Sequence, residues 1–431
     1  VRINLRDNFN AATSLLETEK GWVAKNFYDL ADSPLLSSPN LAHLTYKSQG
    51  IPFHIWLHNL EGRKQLLEDF EKFTDQQIDD MGFFPYDEYH FLIITYPERL
   101  YHGVEHGKST VICLGPSEEV LNEKYDDLLG ISSHELFHAW NIIHIRPREF
   151  VPYNFLEVVT INTGFVAEGF TTYLGDLFLI RSGVKDLEWY LNELSILLRR
   201  HLENFGRLHT SLDHSSRDLW ADGYQLAGPE RKGSIYVEGA IFALMLDLTI
   251  RSETHNASSL LQVVREMSNH FSDHGYSAAD IQRLSEAACT RDLTEFFDSY
   301  LYSASDTRPL LTELLGKFGL FIREKPNPKD IERKYGIRLR ENGSKWTIVK
   351  IHPNSAAWHQ LRAGDELSLI YGAEVNSDEV PLPSSILKIE VNRHGRPLPV
   401  ELSQGPDEYF PVLEVYTNSM TSLTNDWLNL G

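Results

Sequence analysis

The 431-residue chain contains little cysteine and no excess of positive charge. Its two cysteines, Cys113 and Cys289, lie far apart in the sequence. This spacing excludes a disulfide framework and a cysteine-type zinc site, so both residues are predicted to be buried or inert thiols. The formal net charge is −21, from 40 basic and 61 acidic residues. This balance argues against a nucleic-acid or anionic-membrane partner, because both require a basic surface.

Long apolar runs are also missing. The most apolar candidate, residues 240–246, is followed directly by Asp247, so no segment has the length of a membrane span. The sequence therefore predicts a soluble protein and leaves the cytoplasm and the periplasm both open. It begins at Val1 without an initiator methionine or a signal segment, which indicates an N-terminus that is missing or processed.

One short stretch carries a pattern with chemical meaning, His134-Glu135-Leu-Phe-His138. Apolar residues in and before it recur at helical spacing, and no proline intervenes before Pro147, so the stretch is predicted to be helical. On a helix, His134 and His138 lie one turn apart on one face, with Glu135 beside them. This HExxH pattern is typical of a zinc site with a general base attached. Because this pattern specifies only three positions, a zinc site is indicated only if a third ligand can be found elsewhere in the chain.

Two residues compete for the position of third ligand. His144 follows His138 by six residues, close to the metzincin spacing, and Asn141 could make the intervening turn. Metzincins also need a methionine turn, and the nearest downstream methionine, Met245, lies in an apolar helical pattern. Glu168 is the better candidate, because a two-histidine, one-glutamate site takes its carboxylate from a second helix packed on the first. Such a site leaves a fourth coordination position for water.

The sequence pattern divides the chain into four parts and predicts an α+β multidomain fold. Short alternating runs make residues 1–62 the C-terminal part of an N-terminal β domain. Residues 63–315 are mostly helical, with two strands before the HExxH helix and a long loop at 207–232. Residues 316–410 return to short strands and form a separate β module. Residues 411–431 carry little pattern and are predicted to be a docked or mobile tail.

The order of these motifs resembles that of the glycyl aminopeptidase family, gluzincin zinc metallopeptidases with a C-terminal PDZ domain. The resemblance covers nearly the whole chain and rests on Gly103-x-Glu105-His106, His134-Glu135-x-x-His138-x-Trp140-Asn141, Ile145-Arg146-Pro147, Glu168-Gly169-x-Thr171-x-Tyr173, Tyr236-x-x-Gly239 and Leu246-Asp247-Leu248. It implies a thermolysin-like catalytic domain at residues 63–315, made of a small sheet and a mainly α-helical part, and a PDZ-like domain at 316–410. It also implies one zinc ion per chain, bound by His134, His138 and Glu168.

The resemblance also implies a role for each remaining site residue. Glu135 would take a proton from the zinc-bound water and deliver it to the leaving amine. Tyr236 would donate its hydroxyl to the oxyanion. Gly103 and Glu105 would bind the substrate, with Glu105 pairing with its free α-amine. The implied activity is that of a zinc-dependent aminopeptidase, which removes a small N-terminal residue, preferably Gly or Ala, from peptides with free N-termini.

Two other functions remain open. A zinc endopeptidase of the same fold would place Glu105 away from the cleft, and a non-catalytic scaffold would use the PDZ-like domain to bind peptides. The chain departs from the family at Glu238, which replaces the usual lysine and reverses a charge near the site. In the PDZ-like domain, residues 336–339 occupy the place of the carboxylate-binding loop. The groove helix expected between residues 375 and 386 is interrupted by prolines, so peptide binding and structural docking are equal alternatives.

Overall fold

The computed structural model describes residues 5–222, 233–342, 345–374, 385–405 and 408–430. The chain begins with short paired strands and a one-turn helix, in which β1 pairs with β4 and β2 with β3. These elements are β1 (Asn10–Thr13), β2 (Leu16–Thr18), β3 (Gly21–Val23), α1 (Phe27–Ala31) and β4 (Leu35–Ser38). The side chain of Asn26 caps α1 by accepting a hydrogen bond from the Asp29 N–H at 2.9 Å.

A five-stranded sheet follows. Its strands and the helix between them are β5 (Leu41–Ser48), β6 (Ile51–His58), α2 (Lys64–Met81), β7 (Tyr89–Thr95), β8 (Leu100–Glu105) and β9 (Ser109–Gly115). The strand order is β5-β6-β7-β9-β8, with β6, β7 and β9 parallel to one another. The middle strand, β7, is buried along almost all of its length, which explains its nearly continuous apolar sequence.

This sheet corrects two of the sequence-based predictions. The predicted boundary at residue 62 does not separate two sheets, because β6 pairs with β7 and joins residues 51–58 to the strands that precede the HExxH helix. The segment predicted only to connect two strands is itself the edge strand β8. Most of β8 is exposed and it contains Gly103, so its pattern differs from that of a half-buried strand. Strand pairing depends on non-local contacts, which local patterns do not specify.

The helical region supplies most of the core. Its α-helices are α3 (Tyr125–Phe137), α4 (Thr171–Arg181), α5 (Leu187–Leu202), α6 (Leu212–Arg217), α7 (Leu219–Asp222), α8 (Val237–Thr254), α9 (Leu260–Phe271), α10 (Ala278–Cys289), α11 (Thr294–Phe297) and α12 (Arg308–Lys317). The side chain of Asp186 caps α5 by accepting from the Trp189 N–H at 2.9 Å. The predicted loop 207–232 instead contains α6 and α7, while residues 223–232 lie outside the described part of the chain.

The C-terminal β module interrupts a ladder of two strands. The elements here are β10 (Leu320–Lys325), α13 (Asp330–Tyr335), β11 (Ile337–Asn342), β12 (Lys345–Ile351), β13 (Glu366–Ile370), β14 (Ala373–Glu374), β15 (Ile386–Arg393), β16 (Arg396–Ser403), β17 (Val412–Thr417) and α14 (Ser422–Leu428). The module sheet has the order β11-β12-β13-β15-β16, with β14 on β13. β10 pairs with β17 outside that sheet, so the module itself is shorter than the predicted 316–410. Most of the segment in which the groove helix was predicted, residues 375–384, lies outside the described residues.

The last residues are docked on the helical region. Trp427 of α14 is fully buried, and its Nε1–H donates to the hydroxyl oxygen of Tyr173 at 2.9 Å. The Tyr173 hydroxyl in turn donates to Asp247 at 2.6 Å, and the guanidinium of Arg251 donates to the same carboxylate at 2.9 Å. A buried network of this kind holds its members only while each is satisfied. Of the two possibilities for residues 411–431, the structure therefore shows docking.

The two cysteines and the apolar segments agree with the sequence analysis. Cys289 is buried and Cys113 half-buried, both are free thiols, and burial raises the pKa of each. Within the described residues, every helix is too short or too polar to cross a bilayer.

Three histidines line up across adjacent strands of the sheet. His54 lies opposite His90 in the parallel β6–β7 register, with ring centroids 4.5 Å apart, and His43 on β5 stacks on Trp56 at 3.6 Å. The Trp56 indole N–H donates to Nδ1 of His90 at 3.1 Å. Because that nitrogen must accept, the neutral His90 carries its proton on Nε2. The contacts within this row of histidines therefore favour the uncharged form of the rings.

We expect acid to destabilise the protein through His90. Burial, together with the charges of the nearby His54 and His43, lowers the pKa of His90 from 6.5 to about 3. The folded state thus favours the neutral ring, whose stabilising effect is complete above pH 6.5 and is lost as the pH falls toward 3. At pH 5, protonation of this side chain in the unfolded chain alone removes about 2 kcal/mol from the free energy of unfolding.

The measurement is urea unfolding at pH 8 and pH 5. His90→Gln keeps a hydrogen-bond acceptor for Trp56 but does not titrate, so its loss of stability between the two pH values should be smaller by about 2 kcal/mol. The exposed His359 provides the control, because His359→Gln should behave as the parent does. Equal pH dependence in the parent and His90→Gln would contradict the assignment.

Candidate active site

The HExxH stretch forms the end of α3. Leu128, Leu129, Leu136 and Phe137 of this helix are buried, as its apolar spacing predicts. His138 is the C-terminal cap residue, one turn beyond His134, and the two Nε2 atoms lie 3.1 Å apart. Nδ1 of His138 lies 2.9 Å from the carbonyl oxygen of Asn141, which orients the ring. The two imidazoles therefore point to one place, as predicted.

Glu168 is brought to the same place by a π-helical turn, Phe165–Phe170, that leads into α4. The side chain of Asn141 anchors this turn by donating to the Val166 carbonyl at 2.8 Å and to the Thr171 hydroxyl at 3.0 Å. A side chain at Gly169 would overlap the backbone of α8, since a Cβ there would lie 2.8 Å from the carbonyl oxygen of Gly239. The motif residues around Glu168 thus fix its position through close helix packing.

The three predicted metal ligands form a compact triangle. Oε2 of Glu168 lies 3.5 Å from Nε2 of His134 and 3.5 Å from Nε2 of His138, and the third side is the 3.1 Å histidine separation. Tetrahedral coordination with bonds of about 2.0–2.2 Å places ligand atoms about 3.3–3.6 Å apart. Oε2 of Glu168 is buried and makes no hydrogen bond within the described part of the chain. The arrangement fits a zinc ion bound by His134, His138 and Glu168.

The charges of these residues favour a cation. Burial raises the pKa of Glu168, but the close contacts of its carboxylate with His134 and His138 overcome this effect and hold that pKa well below its usual range. Burial lowers the pKa of His138, but Glu105, Glu168 and Glu135 raise it to about 10. The protein alone thus keeps Glu168 ionised and a proton on His138. A divalent cation would displace this proton and supply the positive charge instead.

Glu135 lies beside the triangle and contacts the edge strand. Its side chain is 4% exposed, and Oε2 accepts a hydrogen bond from the Thr110 hydroxyl at 3.3 Å. Burial raises the pKa of Glu135 to about 8, and the charges of Glu105 and Glu168 contribute to this increase. A carboxyl with a pKa near neutrality can both accept and return a proton. Gly103 leaves the space for this carboxylate, because a Cβ there would overlap it and lie 2.9 Å even from Cγ.

Glu105, at the end of β8, joins the same cluster. One carboxylate oxygen each from Glu105 and Glu135 and one nitrogen of His138 lie within 4.8 Å of one another. The end of the strand is held by Asp32, whose oxygens lie 3.1 Å from Nδ1 of His106 and accept from the Gly107 N–H at 2.9 Å. Asp32 was not among the predicted site residues, because it lies more than seventy positions away in sequence.

Tyr236 directly precedes α8 and reaches the third ligand. Its hydroxyl donates to Oε1 of Glu168 at 3.2 Å. Glu238, the departure from the family, caps the start of α8 by accepting from the Ser234 N–H, and it accepts from the Asn204 side chain at 3.0 Å. The reversed charge thus stabilises the turn that carries Tyr236 and lies outside the ligand triangle.

The competing ligand His144 lies elsewhere. Its ring packs edge-on against Phe83, with 5.4 Å between the ring centroids, and it belongs to none of the described clusters of potential ligands. Ile142, which follows Asn141 in the chain, adopts a positive φ of 113° and turns the backbone away after the HExxH helix. The metzincin arrangement is therefore wrong for this chain.

A cleft opens beside Glu105 and Glu168, with a volume of about 350 Å³. Residues from α1, from the segment after the HExxH helix and from α7 meet there, and sequence patterns gave no sign of this. Its described walls contain Tyr28, Ala31, Asp32, Glu105, Ile142, Ile143, Arg146, Phe150, Tyr153, Phe155, Ile161, Gly164, Ala167, Glu168, Leu219, Trp220 and Ile235. The cluster thus faces a cavity of the size that small ligands occupy.

Comparison with known proteins agrees with the resemblance seen in the sequence. Residues 127–242 match the profile of the M61 glycyl aminopeptidase family, a segment that contains the HExxH helix, Glu168 and Tyr236. No curated protein sequence matches the chain.

Two solved structures are similar to the chain to different degrees. An aminopeptidase N family protein from Idiomarina loihiensis superposes with a TM-score of 0.87 at 22% identity, over 97% of this chain and 77% of that one. The M1 zinc metallopeptidase from Deinococcus radiodurans gives a TM-score of 0.44 at 15% identity, over 65% of this chain and 58% of that one. At 22% identity the first likeness establishes the overall architecture, which is a mixed α/β multidomain fold.

Proposed function

We propose that the chain is a metallopeptidase and, more specifically, a zinc-dependent aminopeptidase, because residues 127–242 match the profile of the M61 glycyl aminopeptidase family. It removes a small N-terminal residue, Gly or Ala, from peptides with a free α-amine. The preference for a small residue rests on the family. The preference for a free amine rests on the position of Glu105.

The main support for the proposal is the short distance between the Glu105 carboxylate and the groups that would react. Its carboxylate lies within 4.8 Å of the Glu135 carboxylate and of His138. Three carboxylates converge here, and a zinc ion together with one substrate ammonium group would balance their charge. An internal peptide has no ammonium group to offer, so it would leave Glu105 unpaired in a buried site. This arrangement supports an exopeptidase over an endopeptidase.

Each residue of the site has a separate role in the proposed reaction. His134, His138 and Glu168 hold the metal, and Glu105 fixes the α-amine so that the scissile bond lies next to Glu135. Zinc, when bound, supplies Lewis acidity toward the scissile carbonyl and makes water a better nucleophile. Glu135 accepts the proton of the attacking water and returns it to the leaving amine. Tyr236, beside Glu168, donates its hydroxyl to the developing oxyanion.

The domain assignment is part of the proposal. The HExxH helix, the helix that carries Glu168 and the sheet with its exposed edge strand support a thermolysin-like catalytic domain. The antiparallel sheet of residues 337–403 and its preceding loop support a PDZ-like module. A complete set of ligands, base and amine-binding carboxylate argues against a non-catalytic scaffold.

The experiment compares Ala-p-nitroanilide with its N-acetylated form, in the presence of one equivalent of zinc. The parent should cleave only the free-amine substrate. Glu105→Gln should lower kcat/KM for that substrate by about 10²-fold or more, since it removes a charged hydrogen-bonded pair. The exposed Glu98 provides a matched control, and Glu98→Gln should leave the rate unchanged.

Other outcomes would redirect the proposal. Cleavage of both forms at similar rates would make the protein an endopeptidase. Zinc binding without hydrolysis of either substrate, and retained binding of peptides, would favour the scaffold function.

A further inference from the structure

Among the described residues that line the cleft, Arg146 is the only basic one. Its Nε–H donates to the Ile143 carbonyl at 2.7 Å, and its guanidinium lies over the ring of Tyr28, with 4.9 Å between Cζ and the ring centroid. The backbone carbonyl of Arg146 accepts from the Tyr276 N–H at 2.9 Å. Arg146 is thus held at both its backbone and its guanidinium, so its position does not depend on a ligand.

Within the described residues, Arg146 has no acidic partner to neutralise it. Although the chain has 61 acidic and 40 basic residues, no carboxylate in the described part of the chain forms an ion pair with this guanidinium. Asp32 lines the same cleft, but its oxygens are engaged by His106 and by the Gly107 N–H. The other acids of the cleft, Glu105 and Glu168, belong to the metal and amine cluster. A half-buried guanidinium without a counter-ion attracts an anionic group.

The Tyr28 ring beside the guanidinium belongs to a cluster of three aromatic rings. Tyr28 lies 5.6 Å from Phe155 and 6.4 Å from Tyr153, and Tyr153 lies 5.0 Å from Phe155, measured between centroids. Arg146 is half-buried beside the Tyr28 ring, and a lower local dielectric strengthens an ion pair. Tyr28 covers one face of the guanidinium and Nε–H donates to Ile143, so the Nη1 and Nη2 groups are the donors that can bind a carboxylate with two parallel hydrogen bonds.

We propose that Arg146 binds a carboxylate of the substrate, so that the cleft selects short peptides with an anionic group beyond the scissile bond. This inference rests on the proposed aminopeptidase function. The volume of about 350 Å³ is at the lower end of the range for small-ligand sites, roughly 300–1,000 Å³. With the α-amine at Glu105, the main-chain carboxylate that reaches this cavity is the C-terminus of a dipeptide or tripeptide. An acidic side chain would present the same chemistry.

The test measures Kd by calorimetry for Ala-Ala, Ala-Ala-amide and Ala-Glu-amide. It uses the full chain loaded with zinc and carrying Glu135→Gln, so that bound peptide is not consumed. Ala-Ala should bind at least tenfold more tightly than Ala-Ala-amide, as expected for a charged hydrogen-bonded pair. Adding Arg146→Gln should make the affinities for the two peptides equal. Arg146→Lys keeps the charge but loses the planar guanidinium, so it should keep part of the difference in affinity. If only Ala-Glu-amide binds more tightly, the side-chain carboxylate is the ligand.

Arg148→Gln provides the matched control. Arg148 lies two residues further along the chain, is exposed and pairs with Asp280, so its substitution should leave the ratio unchanged. Equal affinities for all three peptides would overturn the proposal, as would a ratio that survives Arg146→Gln. If the protein with Arg146→Gln does not fold, the proposal is decided by the ratio of the Kd values for Ala-Ala and Ala-Ala-amide in the protein that carries Glu135→Gln alone. Carboxylate-dependent binding by a parent protein that hydrolyses no free-amine peptide would support this inference while contradicting the proposed function.

Discussion

Glu135→Gln is expected to lower kcat by about 10²–10⁴-fold, the usual contribution of a general base. Glutamine has the same shape and can still accept the hydrogen bond from Thr110, but it cannot take a proton. Glu135 is not part of the triangle of His134, His138 and Glu168, so zinc should remain at one equivalent per chain. Because burial already disfavours the ionised form of Glu135, the substitution should not lower the melting temperature.

The measurement combines turnover of Ala-p-nitroanilide with metal analysis and thermal melting of the same sample. Glu149→Gln, at an exposed position beyond the HExxH segment, controls for the general effect of removing a carboxylate. Unchanged turnover in Glu135→Gln would remove this residue from the mechanism. A loss of zinc or of stability along with turnover would assign it a structural role instead.

Gly103→Ala is expected to reduce kcat by about 10²-fold, although it adds one methyl group to an edge strand. The new Cβ would overlap the Glu135 carboxylate, so the strand or the carboxylate must move. A displacement of about 1 Å at a reacting group is enough for an effect of this size. The three atoms nearest to this Cβ all belong to Glu135 and none to His134, His138 or Glu168, so zinc content should not change.

Gly130→Ala offers a close comparison for this prediction. Gly130 lies in α3, four residues before His134, and a Cβ there would meet nothing within 4 Å. Alanine also favours a helix over glycine by about 1 kcal/mol. Gly130→Ala should therefore keep full turnover and raise the melting temperature slightly. Full turnover in Gly103→Ala as well would mean that the edge strand can move without disturbing Glu135.

Within the active site, the sequence predicted residue identities better than their surroundings. His134 and His138 were found because one helix holds both, and helical spacing can be read from a single segment. Glu168, on a second segment, was found through the chemistry of the donor set and the family motif. Asp32 and the aromatic cleft were not found, because they come from segments distant in sequence and carry no motif of their own.

The neighbours of Glu238 in the folded chain also explain its departure from the family pattern. A carboxylate at position 238 suggested disturbed electrostatics near the site. In the folded chain, Glu238 instead accepts hydrogen bonds from Ser234 and Asn204 at the beginning of α8. The effect of a charge depends on its partners, and these come from the turn after α5 and the turn before α8.

The sequence by itself determined most of the helices and strands, the HExxH pair and the choice of Glu168 over His144. These features follow from local periodicity and from the chemistry of metal ligands. Only the tertiary structure decided that β5 and β6 join the catalytic sheet, that β8 forms its edge against Glu135, and that the C-terminal segment docks through Trp427. Each of these depends on contacts between distant segments, whose free energy is set by packing in three dimensions.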